Sequence, residues 1–192
     1  MVNQKTRVCH ALEALTRQPV VSPAARQRLK QTKRWLDEKL QAVEAERLAL
    51  LEQRFAPEMA LLCSIPGIGR KTAGRLLLFA GGFARLDNHR QLIAKAGLSP
   101  RKHSSGASIR GKARITQMGG GLIRGKLFLC RFSAGKSNAA CKTRYDRLVT
   151  KGKNGLVALI TVCNKLLKQA FAIIKSGVPY QADFRSTRAL SL

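Results

Sequence analysis

Apolar residues recur at three- and four-residue spacing along most of the chain, and the interruptions fall where Pro, Gly and Ser cluster. That is the helical period. Val8, Ala11, Leu12 and Leu15 mark one face of a helix over residues 3–16, and the segment 18–23 stops it. Ser22 followed by Pro23 predicts a new start: a capping hydroxyl, then the residue best suited to the first helical position. Leu29, Leu36, Leu40, Val43, Leu50 and Phe55 then carry a long helix over residues 23–55. Glu38, Glu44, Glu46 and Glu52 alternate with Lys39, Arg47 and Arg54 on its other faces. This is the patterning of a coiled coil or helical hairpin, with Arg47 interrupting the stripe. It suits a helix packed within its own domain and a self-association helix equally.

A second series begins near Met59. A first element over 59–65 runs into Pro66, Gly67, Ile68 and Gly69; a helix over 70–80 follows, closed by Gly81 and Gly82. Asp87 is the expected cap of a short helix reaching Ala96 and ended by Gly97. Residues 99–121 are rich in Ser, Gly, Lys and Arg without periodicity, which predicts a loop or hairpin with a short strand at 107–115. Helices resume over 122–134, 139–151 and 155–175. The expected fold is mostly α. An N-terminal coiled-coil or helical-hairpin segment (1–58) precedes a compact helical domain (59–180) holding a helix-hairpin-helix motif and a Ser/Gly/Arg-rich loop; residues 181–192 form a tail.

Charge changes this picture most. Thirty-six Lys and Arg oppose ten Asp and Glu, a formal +26, in a chain that is 45% hydrophobic and so able to form a core. A folded domain this basic repels itself and calls for a polyanion, most commonly DNA or RNA. The acids are also segregated. Seven of the ten lie between Glu13 and Glu58, and none lies between Asp87 and Asp146. That gap carries thirteen cations, from Arg90 and Lys95 through Arg131 to Lys142 and Arg144, and reads as a binding face.

Five cysteines without a C-x-x-C pair argue against zinc and against a disulfide framework. The N-terminus lacks an apolar signal-peptide core, and no apolar run approaches the ~18 residues of a membrane span. The expectation is a cytoplasmic protein with no membrane partner.

Two motifs carry chemistry. Ser64-Ile-Pro-Gly-Ile-Gly69 followed by Arg70 and Lys71 has the form of a helix-hairpin-helix. There the amides of Gly67 and Gly69 would meet a backbone phosphate at a helix N-terminus, blind to base sequence. The alternative is a tight helix–helix turn with a packing role only. Next, Ser104, Ser105 and Ser108 sit among glycines and Arg101, Lys102, Arg110, Lys112 and Arg114. On residue chemistry alone this is a phosphate-binding or simply solvated loop, since a nucleophilic serine needs an activating base or metal, and His103 is the only nearby base. Arg124 follows as a further cation. Metal-dependent phosphoryl transfer needs clustered carboxylates; Asp87 and Asp146 are isolated, so no metal site is expected in this chain.

At these residues the sequence resembles the bacterial insertion-sequence transposases that include the pilin-gene DNA invertase, a family of bridge-RNA-guided recombinases. The resemblance runs from about residue 3 to Tyr180 and rests on Ser64-Ile-Pro-Gly-Ile-Gly69, Ala96-Gly-Leu-Ser-Pro100, Ser105-Gly-Ala-Ser-Ile-Arg-Gly-Lys112, Ile115, Gly119, Leu122-Ile-Arg124, Tyr145-Asp-Arg-Leu148, Lys151-Gly-Lys153 and Pro179-Tyr180. It implies the C-terminal, serine-bearing domain of such an enzyme, with the RuvC-like DEDD half and its magnesium lying outside this sequence. It also implies that Ser105 is the nucleophile on DNA, with Ser108 and Ser104 as alternatives, and that DNA, a guide RNA and a second copy through the N-terminal helices are the partners. The location implied is the bacterial cytoplasm, at the nucleoid. No cofactor is expected on this chain, and no strand cleavage by it alone. The competing readings are a non-catalytic DNA-binding regulator and a structural helix-hairpin-helix protein.

Overall fold

The computed structural model describes residues 1–17, 22–105 and 109–182, with 102–105 and 109–113 described by their backbone alone. It is mostly α. The elements are α1 (Val2–Thr16), α2 (Pro23–Cys63), α3 (Arg70–Ala80), α4 (His89–Lys95), β1 (Pro100–Ser105), β2 (Ile109–Ile115), α5 (Gly121–Ser137), α6 (Ala139–Thr150) and α7 (Gly155–Ser176). The chain divides into two compact units, Met1–Arg54 and Phe55–Leu192.

In the first unit α1 half-buries Val8, Ala11, Leu12 and Leu15, the four positions its periodicity marks, and Lys5 pairs with Asp37 of α2. On α2, Leu36 and Leu51 are buried, and Leu29, Lys33, Leu40, Glu44 and Arg47 are half-buried. Val43 and Leu50 are instead 56% and 59% exposed, beside an exposed Trp35. The expected apolar stripe is therefore divided. Leu29, Leu36, Val43 and Leu50 follow a strict seven-residue step, which drifts by about 20° per heptad around a straight helix. The covered line keeps the 3.6-residue pitch and leaves the later heptad positions outside.

Helix α2 continues past the expected stop at Phe55, but its backbone is non-helical there (φ −131°, ψ 38°), two residues before Pro57. Proline has no N–H for the Gln53 carbonyl and its ring crowds that carbonyl, so the helix yields just ahead of it.

The second unit is organised on α7. Ala158, Val162, Cys163, Leu166, Leu167, Ala170 and Ile173 form its buried face, packed against α4, α5 and α6, while α3 packs on α5. Among the described residues α7 is the one helix long and apolar enough to cross a membrane by length and composition, where the sequence suggested none. Lys165, Lys168 and Lys175 break its apolar run without lowering the average enough, and its most covered face is the core of this unit. Side-chain caps start three of the helices: Asn88 accepts from Arg90 N–H, Asn138 from Cys141 N–H and Asn154 from Leu156 N–H. The cap expected of Asp87 thus belongs to Asn88. Asp87 instead accepts from Gln91 Nε2 at 3.3 Å.

Asn138 does more than cap α6. It is fully buried, and its Nδ2 donates to Gln169 Oε1 at 3.0 Å and to the Pro66 carbonyl at 3.4 Å. Its Oδ1 accepts from Cys141 N–H at 3.1 Å and from the Tyr180 hydroxyl at 3.2 Å. The Tyr180 N–H donates to Ser64 Oγ at 2.9 Å. One amide therefore joins the Pro66 turn, α6, α7 and the segment after α7. Asn138→Ala strands several buried polar groups at once and is expected to cost about 3 kcal/mol, read from the urea midpoint by circular dichroism. A loss under about 1 kcal/mol would mean the network is not closed as described.

Candidate nucleic-acid interface

The expected site residues fall in two places. Gly67, Gly69, Arg70 and Lys71 occupy the turn from α2 into α3. Gly67 adopts φ +101°, and a Cβ on it would stand 2.7 Å from the Ala134 Cβ and 2.9 Å from that residue's backbone. This glycine lets the turn pack directly on α5. Gly69 differs: it is the N-cap of α3 (φ −88°, ψ 167°) with no side chain capping the helix, it is exposed, and a Cβ there would meet nothing within 4 Å. The open end of the turn is therefore at Gly69, where a helix of 11 residues begins; its dipole favours an anion.

Pro100–Ser105 and Ile109–Ile115 pair as antiparallel strands, the hairpin form of the two expected for this stretch. Arg101 pairs with Arg114, His103 with Gly111, Ser104 with Arg110 and Ser105 with Ile109, with an irregularity between Arg101 and His103. Ser105 is the last residue of β1, and Ser108 lies outside the described residues. The short strand expected at 107–115 falls on β2, and β1 completes the hairpin with a strand to which the sequence reading gave no bounds. Arg101, Lys102, Arg110, Lys112 and Arg114 all belong to this ribbon.

The root of the ribbon is fastened to the helices. Thr116 N–H donates to the Ser99 carbonyl at 3.0 Å and Gln117 N–H to the Gly97 carbonyl at 3.1 Å. Arg124 Nη1 donates to the carbonyls of Ala96 (3.0 Å) and Gly119 (2.9 Å). Ala96 is the C-cap of α4, and a cation at a helix C-terminus is favourable. Arg124, expected to face nucleic acid, thus clamps the root of the hairpin. Arg131 is also drawn inward: it is 5% exposed and its guanidinium lies over the rings of Phe128 and Phe132. The acid-free stretch is therefore not one uninterrupted face.

Two grooves flank the hairpin root. One, of about 520 Å³, lies among α4, α6 and α7 and is lined by His89, Arg90, Arg144, Lys165 and Lys168 with Asn164. No acidic residue lines it, and none of its four Lys and Arg forms a salt bridge among the described residues. Burial, then the charges of Lys168 and Arg90, hold the His89 pKa below the usual histidine value. The second groove, of about 810 Å³, has Arg114 and Arg124 on one side and Phe128, Leu156, Val157 and Ile160 along its walls. Of the expected cations whose side chains are described, Arg114 and Arg124 share this groove. Lys165 and Lys168 escaped the sequence reading. The signal was present: Thr161, Asn164, Lys165 and Lys168 fall on one face of an otherwise apolar helix.

Among the described residues no three His, Cys, Asp or Glu side chains come together. Burial pushes the Cys141 thiol up to about 11 and the Cys163 thiol up to about 12, so neither is a thiolate near neutral pH.

Residues 59–146 match the family described as "Transposase IS116/IS110/IS902 family". The chain is 32% identical over 145 residues to the insertion element IS110 uncharacterized 43.6 kDa protein of Streptomyces coelicolor, covering 76% of this chain and 35% of that protein. It is 35% identical over 123 residues to the pilin gene-inverting proteins of Moraxella lacunata and Moraxella bovis, covering 63% of this chain and 38% of each. The chain thus spans little more than a third of the length of the curated relatives it matches.

Proposed function

We propose that this chain is the DNA-engaging part of an insertion-element transposase and supplies Ser105 as the nucleophile for strand exchange. One observation carries the reading: the transposase match over residues 59–146 takes in the open turn at Gly69, the basic hairpin and α5, a stretch whose only acids are Asp87 and Asp146. In the proposed reaction the Ser105 Oγ attacks a DNA phosphorus. The bond to the leaving strand oxygen breaks, that oxygen takes a proton, and a phosphoserine ester holds the other strand end. A hydroxyl of the new partner strand then reverses the step. Arg101, Lys102, Arg110, Lys112 and Arg114 neutralise the non-bridging oxygens, while Gly69, Arg70 and Lys71 grip a backbone phosphate nearby. The DEDD half, its magnesium and the guide RNA come from outside this chain, and the chain alone does not cut DNA.

The reading requires strong salt dependence. If about six phosphates are contacted, log K falls with log salt at a slope near −5 on duplex; a filter-binding slope near zero would remove the DNA-binding premise. The exposed Trp35, Val43 and Leu50 line of α2 is the proposed contact with a second copy, and sedimentation showing a monomer at high concentration would count against it.

A further inference from the structure

The two grooves beside the hairpin root are one feature. They share Pro100, Thr161 and Asn164 in their linings, so they meet along α7 beneath the start of β1. Their chemistry differs: cations dominate the first, while the second, apart from Arg114 and Arg124, is walled by apolar side chains. On one side Arg90, Arg144, Lys165 and Lys168 converge from three helices with no acid among them. Such crowding of like charges destabilises a folded protein unless an anion relieves it. On the other side Leu156, Val157 and Ile160 of α7 face Phe128 of α5, and Leu156 and Val157 remain 53% and 48% exposed.

A ligand that fills both must carry a line of negative charge along one edge and flat apolar groups along the other. A duplex presents phosphates on its outside and hides its bases. A single strand presents both, and proteins that hold one combine a cationic track with apolar or aromatic platforms. The geometry points to a track for single-stranded nucleic acid here, with phosphates on Arg90, Arg144, Lys165 and Lys168 and bases against Phe128, Leu156 and Val157. The inference rests on the nucleic-acid reading above and extends it to residues outside both the hairpin and the α2–α3 turn. Phosphate backbone and bases are common to DNA and RNA, so the track takes an unpaired strand of either.

The test uses the full chain and fluorescence anisotropy with labelled oligothymidylate and oligouridylate of about 20 nucleotides, and a duplex of equal length. The substituted residues are all exposed, and a thermal melt checks that each variant keeps its fold. In the triple variant Arg90→Gln, Arg144→Gln, Lys168→Gln, single-strand affinity is expected to fall about a hundredfold at low salt. Its salt slope should move toward zero by about 2, at roughly 0.7 for each phosphate no longer neutralised. In Leu156→Ser, Val157→Ser, single-strand affinity should fall about tenfold with the slope unchanged and duplex affinity unaltered. Weaker binding in the triple variant together with wild-type single-strand affinity in the double variant would mean that phosphates are gripped and bases are not, and would overturn the track. Equal weakening on duplex in the double variant would overturn it too. If the wild type binds tightly and both variants match it, the track falls while the DNA-binding reading stands. If the wild type binds none of the three probes, both fall.

Discussion

Gly67→Ala is expected to destabilise the second unit by about 3–4 kcal/mol, whereas Gly69→Ala should change it by less than about 1 kcal/mol. The two glycines stand two residues apart in one motif, yet their surroundings differ. At Gly67 the backbone has φ +101°, and the new Cβ would press on the Cβ, Cα and N of Ala134 at 2.7–2.9 Å. Two of those atoms are helix backbone, so relief means moving α5 itself. The positive φ adds about 1–2 kcal/mol for a residue with a Cβ, and overpacking a tight contact adds about 1–3 kcal/mol. At Gly69 the dihedrals suit any residue and the space is open. Denaturant midpoints of the two variants read the difference directly. A Gly67→Ala protein as stable as the parent would refute the close packing of the turn on α5. Gly69→Ala, being folded, then reports only on how closely a phosphate approaches that backbone.

Ser105→Ala should abolish the covalent protein–DNA adduct formed once the chain is joined to a RuvC-like half, guide RNA and cognate DNA. Strand exchange should fall by a factor on the order of 10³ or more, as expected when a nucleophile is removed, with DNA affinity nearly unchanged. The serine hydroxyl is weakly nucleophilic near neutral pH and needs activation, so the adduct should also require the divalent ion of the other half. Ser105 closes β1 opposite Ile109, on a ribbon whose root is held by Arg124 and by two backbone hydrogen bonds. Deleting one hydroxyl there leaves the ribbon's cations in place. An adduct that survives Ser105→Ala and disappears with Ser108→Ala transfers the role to Ser108. Cleavage by the reconstituted parent with no covalent species trapped would refute serine nucleophilicity altogether.

The helices were legible because each shows its period and its stops: Pro23, Gly81, Gly97 and Gly177 lie at or beside element ends. What the sequence obscured was whatever depends on which neighbours come to surround a residue, near or far in the chain. β1 has no alternation of its own and exists because Arg101 to Ser105 pair with β2. Arg124 and Arg131 look like their cationic neighbours, but the Ala96 carbonyl 28 residues upstream of one and the rings flanking the other draw both inward. Lys165 and Lys168 join Arg90 and Arg144 only after α4, α6 and α7 pack. Gly67 and Gly69 read as equals until α5 is set against one of them. The proposed nucleophile was not legible from residue chemistry; only the family resemblance singles out Ser105.

The hydrogen bond from Tyr180 to Ser64 spans 116 positions of sequence, and the Tyr180 hydroxyl also reaches the buried Asn138. During synthesis the turn at Pro66 emerges from the ribosome long before the residues that lock it. Contacts so distant in sequence form late, because the intervening chain must first be ordered. A nascent chain shorter than Tyr180 would leave Ser64 and Asn138 without that partner and the turn more open to proteases. The lock on the Pro66 turn can therefore close only when nearly the whole second unit has been translated.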